Sequence, residues 1–433
     1  MQFLPLYIDP GTGSMLFSVC IGAIATLYFL VRALILKLQM LFTGGKIKAD
    51  SKHKKFVIYN EGKQYLNVFK PVLEAFEKHK TEVTYLTSLE NDPFLDSNQD
   101  FQYIKGEYIG EGNKAFAHLN MLSADVVLMT TPGLDVYQMK RSKNVRHYAH
   151  LRHGSGDATM YRLFGIDYFD SVLLTGDYQK NDIRYLENAR GLKHKELVTV
   201  GCTYLDELKN KMDMIPKEEN HKFTVLVCPS WGPSAILTKY GEKLLDPLVQ
   251  TGWQIIIRPH PQSKKSEPEI IEKLYKKYET CKNVEWNYDS DNIKALKRGD
   301  IMISDFSSVI YDYTFLCNKP VMYVNASLDL RIYDASEVFN SDGTNKKIWQ
   351  FSTLEKIGIE LKEEQFKNIK DVIQSASDSP ELANARATAK SEAWMHIGEA
   401  GERVFNFMTE KEKEFEKIKE EKKSYTKKSN GGK

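Results

Sequence analysis

Short apolar runs alternate with longer amphipathic stretches through the first half of the chain. The stretch from Tyr65 to His79 places Val68, Val72, Leu73 and Phe76 on one face of a predicted helix. Around it stand the strand-like runs FVIYN (56–60), VTYL (83–86), ADVVLMTT (124–131), SVLLTG (171–176) and ELVTVG (196–201). Strand-like runs separated by helical ones are typical of βαβ units, so we predict a parallel sheet flanked by helices.

The same pattern restarts after a polar segment at 212–222, which contains Pro216 and which we interpret as a linker. Residues 383–407 predict one long helix, and the mixed-charge segment from Glu410 onward predicts a solvated or frayed helical tail. The strand-like runs of this second half are FTVLVCP (223–229), WQIIIRP (253–259), NVEW (283–286), DIMIS (300–304) and PVMYV (320–324). The sequence therefore predicts an α/β protein with two α/β domains of similar size.

One segment near the start of the chain is far more apolar than the rest. The residues from Ser14 to Leu36 contain Arg32 as their only charge, and about 20 predominantly apolar residues are enough to span a bilayer. No Lys or Arg precedes this segment, whereas Lys37, Lys46 and further lysines follow it. By the positive-inside rule we predict a transmembrane helix within residues 1–40 and a cytoplasmic location for everything after it. A buried core helix is the alternative interpretation.

The composition narrows the class of protein. Lys and Arg number 60 against 58 Asp and Glu, a formal net charge of +2. Nucleic-acid binders show a basic excess, so we expect no nucleic-acid partner. The 5 cysteines form no CxxC pair, which argues against a zinc ribbon and against a disulfide scaffold. We expect reduced, buried thiols.

The first candidate site follows the strand-like run DIMIS, where Ser304, Asp305, Ser307 and Ser308 lead into an amphipathic helix. Free backbone N–H groups and the positive end of the helix dipole can bind a phosphate there, and serine hydroxyls add donors. At helical spacing, Asp312 shares a face with Asp305 and Ser308, which suits the binding of ribose hydroxyls. An ordinary helix N-cap is the alternative interpretation.

The second candidate site is the sequence IIIRPHPQ at 255–262. Pro259 and Pro261 restrict the backbone around His260, so the imidazole and the Arg258 guanidinium stand on a stiff turn at a strand end. A cation at that position suits an anionic substrate that carries phosphate. A structural turn with an exposed histidine is the alternative.

The third candidate site is HLRHGSGD at 150–157. Here a strand-like run gives way to a loop with His153, Gly154, Ser155 and Asp157. Glycine lets a ligand approach the backbone closely, and His153 is suited to deprotonate a hydroxyl near neutral pH. The loop lacks the G-x-S-x-G pattern of a serine hydrolase.

Zinc ligation by His147, His150 and His153 is a weaker alternative for the same segment. Residues three apart on a strand face opposite sides of the sheet, so the three imidazoles would not converge without a helix. We therefore predict no metal site.

A fourth and weaker motif is CPSWGPS at 228–234. Ser230 and its small polar neighbours could hold a phosphate or a nucleotide, whereas Trp231 is as well suited to core packing as to stacking on a base. The chain contains neither a P-loop nor a G-x-G-x-x-G after a strand, which excludes a P-loop ATPase and leaves a dinucleotide dehydrogenase unsupported.

As a set, PSW, RPHP and SDFSSVIYDY, followed by KPVMYV and GEAGER (398–403), resemble the CDP-glycerol glycerophosphotransferase family of teichoic-acid polymer enzymes. The resemblance covers most of the second domain and extends more weakly to the first, through His153-Gly154 and GCTYLDEL (201–208). The family commonly has H-G-T-P-x-K where this chain reads HGSGDATMY, and commonly has Arg where this chain has Gly232.

This resemblance implies a GT-B fold of two Rossmann-like domains behind the N-terminal anchor. The acceptor domain would comprise residues 41–215, a CDP-binding donor domain with a crossover helix residues 216–408, and a charged tail residues 409–433. His153 would be the base, and the donor's phosphates would be bound by His260, Ser307 and Ser308. Arg258 would stabilise charge on the diphosphate. Asp305 and Asp312 would be supporting groups. The motifs themselves add further candidate substrate-binding residues: Gly154, Ser155, Asp157, Ser230, Trp231 and Ser304.

The implied activity is the transfer of glycerol phosphate, or a related polyol phosphate, from a CDP-activated donor to a hydroxyl of a lipid-linked or membrane-bound acceptor, with release of CMP. We expect no required cofactor, with Mg²⁺ on the diphosphate left open. The alternatives are a GT-B glycosyltransferase that uses a nucleotide sugar and a non-catalytic nucleotide-binding scaffold of a polymer-export complex.

Overall fold

The chain divides into the units Met1–Lys52 and His53–Lys433, and the fold below is that of the second unit. The computed structural model describes residues 26–28, 31, 53–96, 101–161, 163–216, 219, 221–289, 291–324, 348–376 and 379–430. In the part of the chain so described, no helix combines the length and apolar character that crossing a membrane requires. Apart from residues 26–28 and 31, which are helical, the predicted span lies outside the described residues. The anchor therefore stays a prediction.

The first lobe is built on a sheet of 7 parallel strands in the order β3-β2-β1-β4-β5-β6-β7. Its central strands are buried almost throughout, because helices cover both faces, and this explains their continuous apolar runs. The strands are β1 (Lys54–Asn60), β2 (Val83–Thr87), β3 (Ile104–Tyr108), β4 (Ser123–Met129), β5 (Asn144–Leu151), β6 (Ser171–Leu174) and β7 (Glu196–Thr199).

The helices of this lobe pack apolar faces on the sheet. The predicted face of the first helix, with Val68, Val72, Leu73 and Phe76, is buried as its spacing indicates. The helices are α1 (Leu66–Lys78), α2 (Pro93–Asp96), α3 (Asn113–Leu119), α4 (Gln179–Arg190) and α5 (Thr203–Met214), with 3-10 turns at Lys63–Tyr65 and Ala158–Met160. Since α5 continues to Met214, the start of the predicted linker at 212–222 is helical.

The second lobe repeats the design with 6 parallel strands in the order β10-β9-β8-β11-β12-β13. The prediction of an α/β protein with parallel sheets is thus confirmed. The strands are β8 (Thr224–Val227), β9 (Gln254–Ile257), β10 (Val284–Trp286), β11 (Ile301–Ser304), β12 (Val321–Tyr323) and β13 (Ile359–Glu360). The helices are α6 (Ile236–Lys239), α7 (Glu242–Gln250), α8 (Ser263–Ser266), α9 (Pro268–Tyr278), α10 (Ile293–Arg298), α11 (Val309–Cys317), α12 (Trp349–Ile357), α13 (Ile369–Ala376), α14 (Pro380–Ala393) and α15 (Ala400–Asn430), with a 3-10 turn at Glu363–Asn368.

The C-terminal segment differs from the prediction of one helix over 383–407 followed by a solvated tail. The helix breaks between α14 and α15, where Asp206 of the first lobe accepts hydrogen bonds from the Trp394 indole and from the N–H groups of Gly398 and Ala400. Helix α15 then packs in the core of the first lobe. It continues past the predicted boundary at 409, and its buried Glu412 pairs with Lys55 of β1. This burial explains why the tail is not simply solvated.

Two glycines let the chain pass closely between the lobes. A Cβ on Gly176 would lie 1.9 Å from the Glu392 carbonyl oxygen, and a Cβ on Gly201 would lie 2.5 Å from the Met395 carbonyl oxygen. Gly201 also has a φ of +98°, which side chains rarely adopt. The end of α14 is thereby held against the ends of the strands β6 and β7.

Candidate active site

Both sheets reverse their strand order at one point, between β1 and β4 in the first lobe and between β8 and β11 in the second. Ligands of open parallel sheets bind beyond the carboxyl ends of strands at such switch points. His153 follows β5, next to β4, and the loops that carry Ser230, His260 and Ser307 follow the neighbouring strands β8, β9 and β11. The topology therefore gathers the sequence motifs at two strand-end sites, one in each lobe.

His153 lies among hydroxyl groups and aromatic rings at the site of the first lobe. Its Nδ1 is 2.7 Å from the Thr130 Oγ1 and 3.3 Å from the Tyr161 hydroxyl. The imidazole stacks on the Tyr161 ring and lies 5.2 Å from the ring of Tyr65. Burial, and secondly the cation of Arg152, lower the pKa of His153 to about 4. The imidazole is therefore neutral at physiological pH, and its Nε2 remains to act on another group.

Arg152 and His150 lie next to His153; the sequence analysis gave Arg152 no role and considered His150 only as a zinc ligand. The Arg152 guanidinium is buried, lies 4.2 Å from the centroid of the Tyr161 ring, and donates to the Gly156 carbonyl. His150 is fully buried with its Nε2 3.2 Å from the Tyr161 hydroxyl, and burial lowers its pKa well below the ordinary value. The only sequence signal for Arg152 was its position beside His153.

The loop after His153 is held mainly by contacts inside the protein. Tyr178 donates to the Ser155 carbonyl and Gln179 to the Gly154 carbonyl. A Cβ on Gly154 would meet nothing within 4 Å. Asp157 is buried and accepts the N–H groups of Trp349 and Gln350, at 3.1 and 2.8 Å. Asp157 therefore caps α12 of the second lobe, a contact that leaves little of its carboxylate for a substrate.

A second carboxyl group, Asp182 of α4, interacts with Asp157. Burial, followed by the nearby charge of Asp157, raises the pKa of Asp182 to about 7, and burial also raises the pKa of Asp157. Asp182 accepts the N–H of Ala158 at 3.1 Å. The two carboxyl groups therefore favour a state in which they share one proton. They lie where the first lobe meets α12.

In the second lobe, Asp305 organises the loops rather than pointing at a ligand. Its buried carboxylate accepts N–H groups from Ser230 at 2.9 Å, Ile236 at 3.0 Å, Phe306 at 2.7 Å and Ser307 at 3.2 Å. Burial still raises the pKa of Asp305. The hydroxyl of Ser304 is also used internally, because it donates to the Cys228 carbonyl. These two side chains join the loop after β8 to the loop after β11.

The start of α11 combines serine side chains with a helix N-terminus. Ser308 is exposed and Ser307 is largely buried. Across the loop, the Ser230 hydroxyl is buried and has no hydrogen-bond partner among the described residues. In the first turn the Ile310 and Tyr311 N–H groups bond to the Ser307 and Ser308 carbonyls. The serine hydroxyls, the remaining N–H groups and the positive end of the helix dipole still suit this end of α11 to bind an anion.

His260 and Arg258 differ in how available they are. The His260 Nδ1 accepts the Gln262 N–H at 3.1 Å, so the neutral ring carries its proton on Nε2 and can donate it to a ligand. Burial lowers the pKa of His260. The Arg258 guanidinium donates to the Asn287 side chain and, at 3.0 Å, to the Asp289 carbonyl. The Trp231 ring is half-buried, 6.5 Å from the His260 ring.

Asp312 lies where α11 meets α5 of the first lobe. Burial raises its pKa to about 7, and its Oδ2 is 3.4 Å from the Tyr204 hydroxyl. Tyr204 belongs to the GCTYLDEL segment, so this hydrogen bond links a first-lobe segment to the SDFSSVIYDY motif of the second lobe.

The three histidines considered for zinc already have hydrogen-bond partners within the protein. The His147 Nε2 lies 2.9 Å from the Ser171 Oγ, whereas the His150 Nε2 and the His153 Nδ1 both contact the Tyr161 hydroxyl. Among the described residues, the acidic side chains that lie close enough together to bind a cation are Asp125, Glu412 and Glu416. This cluster lies at the amino end of β4, opposite the strand-end site. Other side chains already contact it: His53 and Arg146 pair with Asp125, and Lys55 pairs with Glu412.

Two parallel Rossmann-like sheets with strand-end sites and a C-terminal return to the first lobe define a GT-B-like α/β fold. The profile of the family described as CDP-glycerol:poly(glycerophosphate) glycerophosphotransferase matches residues 47–347. The chain belongs to this family and is a transferase of the CDP-glycerol glycerophosphotransferase type, which confirms the resemblance seen in the motifs. No curated protein matches the sequence.

Solved structures share the fold at low sequence identity. A structure of the wall teichoic acid polymerase TagF has a TM-score of 0.56 and 15% identity over 91% of this chain and 98% of that chain. UDP-GlcNAc 2-epimerase from Neisseria meningitidis, bound to UDP-GlcNAc, has a TM-score of 0.53 and 12% identity over 82% of this chain and 100% of that chain. At these identities the similarity establishes the fold alone.

Proposed function

We propose that this protein transfers glycerol phosphate from CDP-glycerol to an acceptor hydroxyl and releases CMP, in the synthesis of a teichoic-acid-like polymer. The observation that carries the proposal is the combination of a neutral, partly buried His153 in one lobe with loops suited to bind an anion in the other. Family membership favours CDP-glycerol as the donor over a nucleotide sugar or another CDP-polyol.

In the proposed reaction, the donor's diphosphate lies at the start of α11. The Nε2–H of His260, the Ser307 and Ser308 hydroxyls and the helix N–H groups bind its oxygens. Arg258 contributes positive charge near the site while it stays bonded to Asn287. Asp305 acts indirectly, by holding the loops that carry these donors.

The acceptor oxygen attacks the β-phosphorus, and the bond from that phosphorus to the oxygen bridging the two phosphates breaks. His153 Nε2 takes the hydroxyl proton, and CMP leaves with the bridging oxygen. Positioning and charge stabilisation supply most of the acceleration in phosphoryl transfer. Thr130 holds the His153 Nδ1 and thereby orients Nε2 toward the acceptor.

We propose no required cofactor. The described carboxylates of the donor site are poor ligands for Mg²⁺, because Asp305 is saturated by N–H groups and burial favours the protonated form of Asp312. Assays with and without EDTA check this, and loss of activity on chelation would contradict it.

We also propose that the segment Ser14–Leu36 anchors the protein, with the catalytic lobes on the cytoplasmic face next to a membrane-bound acceptor. The supporting observation is the long apolar run, with Arg32 as its only charge, and the lysine-rich flank that follows it. Fractionation of cells that express the full chain or a form lacking residues 1–40 tests it. The full chain should be found in the membrane fraction, and an unchanged distribution of the truncated form would contradict the anchor.

The decisive test of the activity is CMP release by detergent-solubilised full-length protein with CDP-glycerol and a lipid-linked acceptor. His153→Ala should lose on the order of 10²-fold in rate, the usual scale for a general acid–base group. His260→Ala should lose about tenfold or more in kcat/KM, because it removes a hydrogen bond to the charged diphosphate. His221→Ala is the control, because His221 pairs with Asp300 before the amino ends of β8 and β11, at the opposite end of these strands from the donor site. Near-full activity of both site variants would refute the mechanism.

A donor panel separates the remaining alternatives. A glycosyltransferase would release a nucleoside diphosphate from a nucleotide sugar, and a scaffold would bind a cytidine nucleotide without turnover. CDP-glycerol and CDP-ribitol, compared by mass spectrometry of the products, identify the polyol.

A further inference from the structure

One short segment of the second lobe, the start of α12, contacts the elements of both candidate sites. On one side, the buried Asp157 carboxylate accepts the N–H groups of Trp349 and Gln350, at 3.1 and 2.8 Å. On the other side, Tyr311 of α11 donates a hydrogen bond to the Gln350 carbonyl, and its ring centroid lies 5.6 Å from that of Trp349. These interactions form a contact, the α12 contact, that joins the loop carrying His153 to the helix whose start is suited to bind phosphate.

The path from Asp157 back to His153 is short and held along its length. The carbonyl groups of residues 154–156, which separate the two side chains, all accept hydrogen bonds from the side chains of Tyr178 and Gln179. The Tyr178 ring also stacks on the tryptophan ring of α12, with the centroids 4.3 Å apart. Because this loop is bonded at each residue, we expect a shift of Asp157 to displace His153 as well.

The path from α12 to the donor site is equally short. Tyr311 follows Ser308 by three residues, so the two side chains lie on one face of α11. Tyr311 is buried against α12, whereas Ser308 is exposed at the start of the helix. The α12 contact therefore lies one helical turn from the serines proposed to bind the diphosphate.

Neither side of the α12 contact belongs to the motifs of the family. Asp157 stands at the variable position of the pattern H-G-T-P-x-K, and Ala158 stands where that pattern has Lys. The family profile matches residues 47–347, whereas α12 begins at Trp349. The contact is thus a property of this chain that family membership did not indicate.

The α12 contact uses a carboxylate where apolar packing would cost less free energy. Asp157 is 1% exposed and lies beside the buried carboxyl of Asp182, and burial raises the pKa of both groups. Groups with such shifts cluster at functional sites. A carboxylate that accepts two N–H groups also fixes the direction of both, which non-directional apolar packing does not. The arrangement favours precise orientation over stability.

We propose that Asp157 is a positioning residue of the transfer reaction, because the α12 contact fixes the loop of His153 relative to the start of α11. This proposal rests on the proposed function, since it concerns the same reaction. Asp157 itself touches no substrate; it acts through α12 on the geometry between the base and the donor's diphosphate.

The first test is kinetic and uses the detergent-solubilised full-length protein with CDP-glycerol and a lipid-linked acceptor. Asp157→Ala should lower kcat by roughly 10–10²-fold, since a misplacement of about 1 Å can cost on the order of 10²-fold in rate. The KM for CDP-glycerol should stay unchanged, because the proposed donor contacts all lie in the second lobe. An unchanged kcat would overturn the proposal, and so would a loss that appears only as a higher KM for CDP-glycerol.

Asp206→Ala is the matched control for a general loss of stability. Asp206 is a second buried carboxylate of the first lobe that accepts N–H groups from a later segment, those of Gly398 and Ala400. Its loss should lower the free energy of unfolding, measured in urea, without lowering kcat. An equal loss of kcat in both variants would overturn the proposal. Asp157→Asn keeps one acceptor oxygen and should give an intermediate kcat, and it replaces Asp157→Ala if that variant does not fold.

Amide hydrogen exchange separates this proposal from the proposed function, because it reports local opening without requiring turnover. CDP-glycerol should slow exchange around Ser308 and, through α12, in the loop 152–157 of the full-length protein. In Asp157→Ala only the slowing around Ser308 should remain. Both effects without any CMP release would refute the proposed function and leave the link between the lobes standing. CMP release without slowing of the loop would overturn this proposal alone, and the absence of all three would overturn both.

Discussion

The two lobes have the same order of strands, yet the ends of their sheets differ in polarity. In the first lobe, His153 lies among aromatic rings, and burial keeps its pKa near 4. In the second, backbone N–H groups, serines and the Nε2–H of His260 surround an exposed helix start. The comparison shows how one scaffold can serve two ligands: the site lined by aromatic rings suits a neutral hydroxyl and its base, and the site rich in hydrogen-bond donors suits a diphosphate.

The sharpest test of this comparison is a split in kinetic parameters between the lobes. His153→Gln should lower kcat on the order of 10²-fold with little change in the KM for CDP-glycerol, because it removes a proton acceptor. His260→Gln should raise the KM for CDP-glycerol about tenfold or more, because a hydrogen bond to a charged group contributes roughly 1.5–3 kcal/mol. The same pattern in both variants would contradict the division of roles.

A second test compares Gly176, which packs closely against the end of α14, with Gly154, which lies in the candidate ligand-binding loop. Gly176→Ala should lower the free energy of unfolding by about 1–3 kcal/mol, because the new methyl group would collide with the Glu392 carbonyl. Gly154→Ala is the matched control, since the space around it is open. Denaturant unfolding of the two variants measures the difference. Equal free energies of unfolding for the two variants would show that α14 moves away from the new methyl group at little cost.

The fold could be predicted because strands buried on both faces carry continuous apolar runs. Edge strands such as β3, whose residues are mostly exposed, gave no such run and were missed. The candidate site was predicted only in part. From the sequence alone, a carboxylate that follows a strand is interpreted as a ligand-binding group, and this interpretation was applied to both Asp157 and Asp305. The N–H groups that Asp157 accepts belong to residues as far as 193 positions away, which local sequence cannot reveal.

The contact between the lobes should itself depend on pH, through Asp182. Burial and Asp157 raise its folded-state pKa to about 7, above the ordinary value of 3.8. Between about pH 4 and pH 7 the folded state therefore binds more protons than the unfolded state, so stability falls as pH rises through that window.

Asp182→Asn should remove this fall, with a gain over the natural protein of about 1–2 kcal/mol at pH 8 and none at pH 4. Urea unfolding across this range measures it. Asp213→Asn is the control, since Asp213 forms an exposed pair with Lys209 and should change stability by less than about 0.5 kcal/mol. A parallel pH slope in the Asp182 variant would show that the carboxyl pair is not strained by burial.

The smallest expected effect concerns Thr130, the residue that orients His153 at the strand-end site of the first lobe. Thr130→Val removes the hydroxyl that lies 2.7 Å from the His153 Nδ1, so Nε2 is less firmly directed at the acceptor. We expect kcat to fall about fivefold, equivalent to one neutral hydrogen bond of about 1 kcal/mol. Thr130→Ser keeps the hydroxyl and should restore the rate. Since the second lobe is untouched, the KM for CDP-glycerol should stay constant in both variants, and a change in that KM would show that the two ends are not independent.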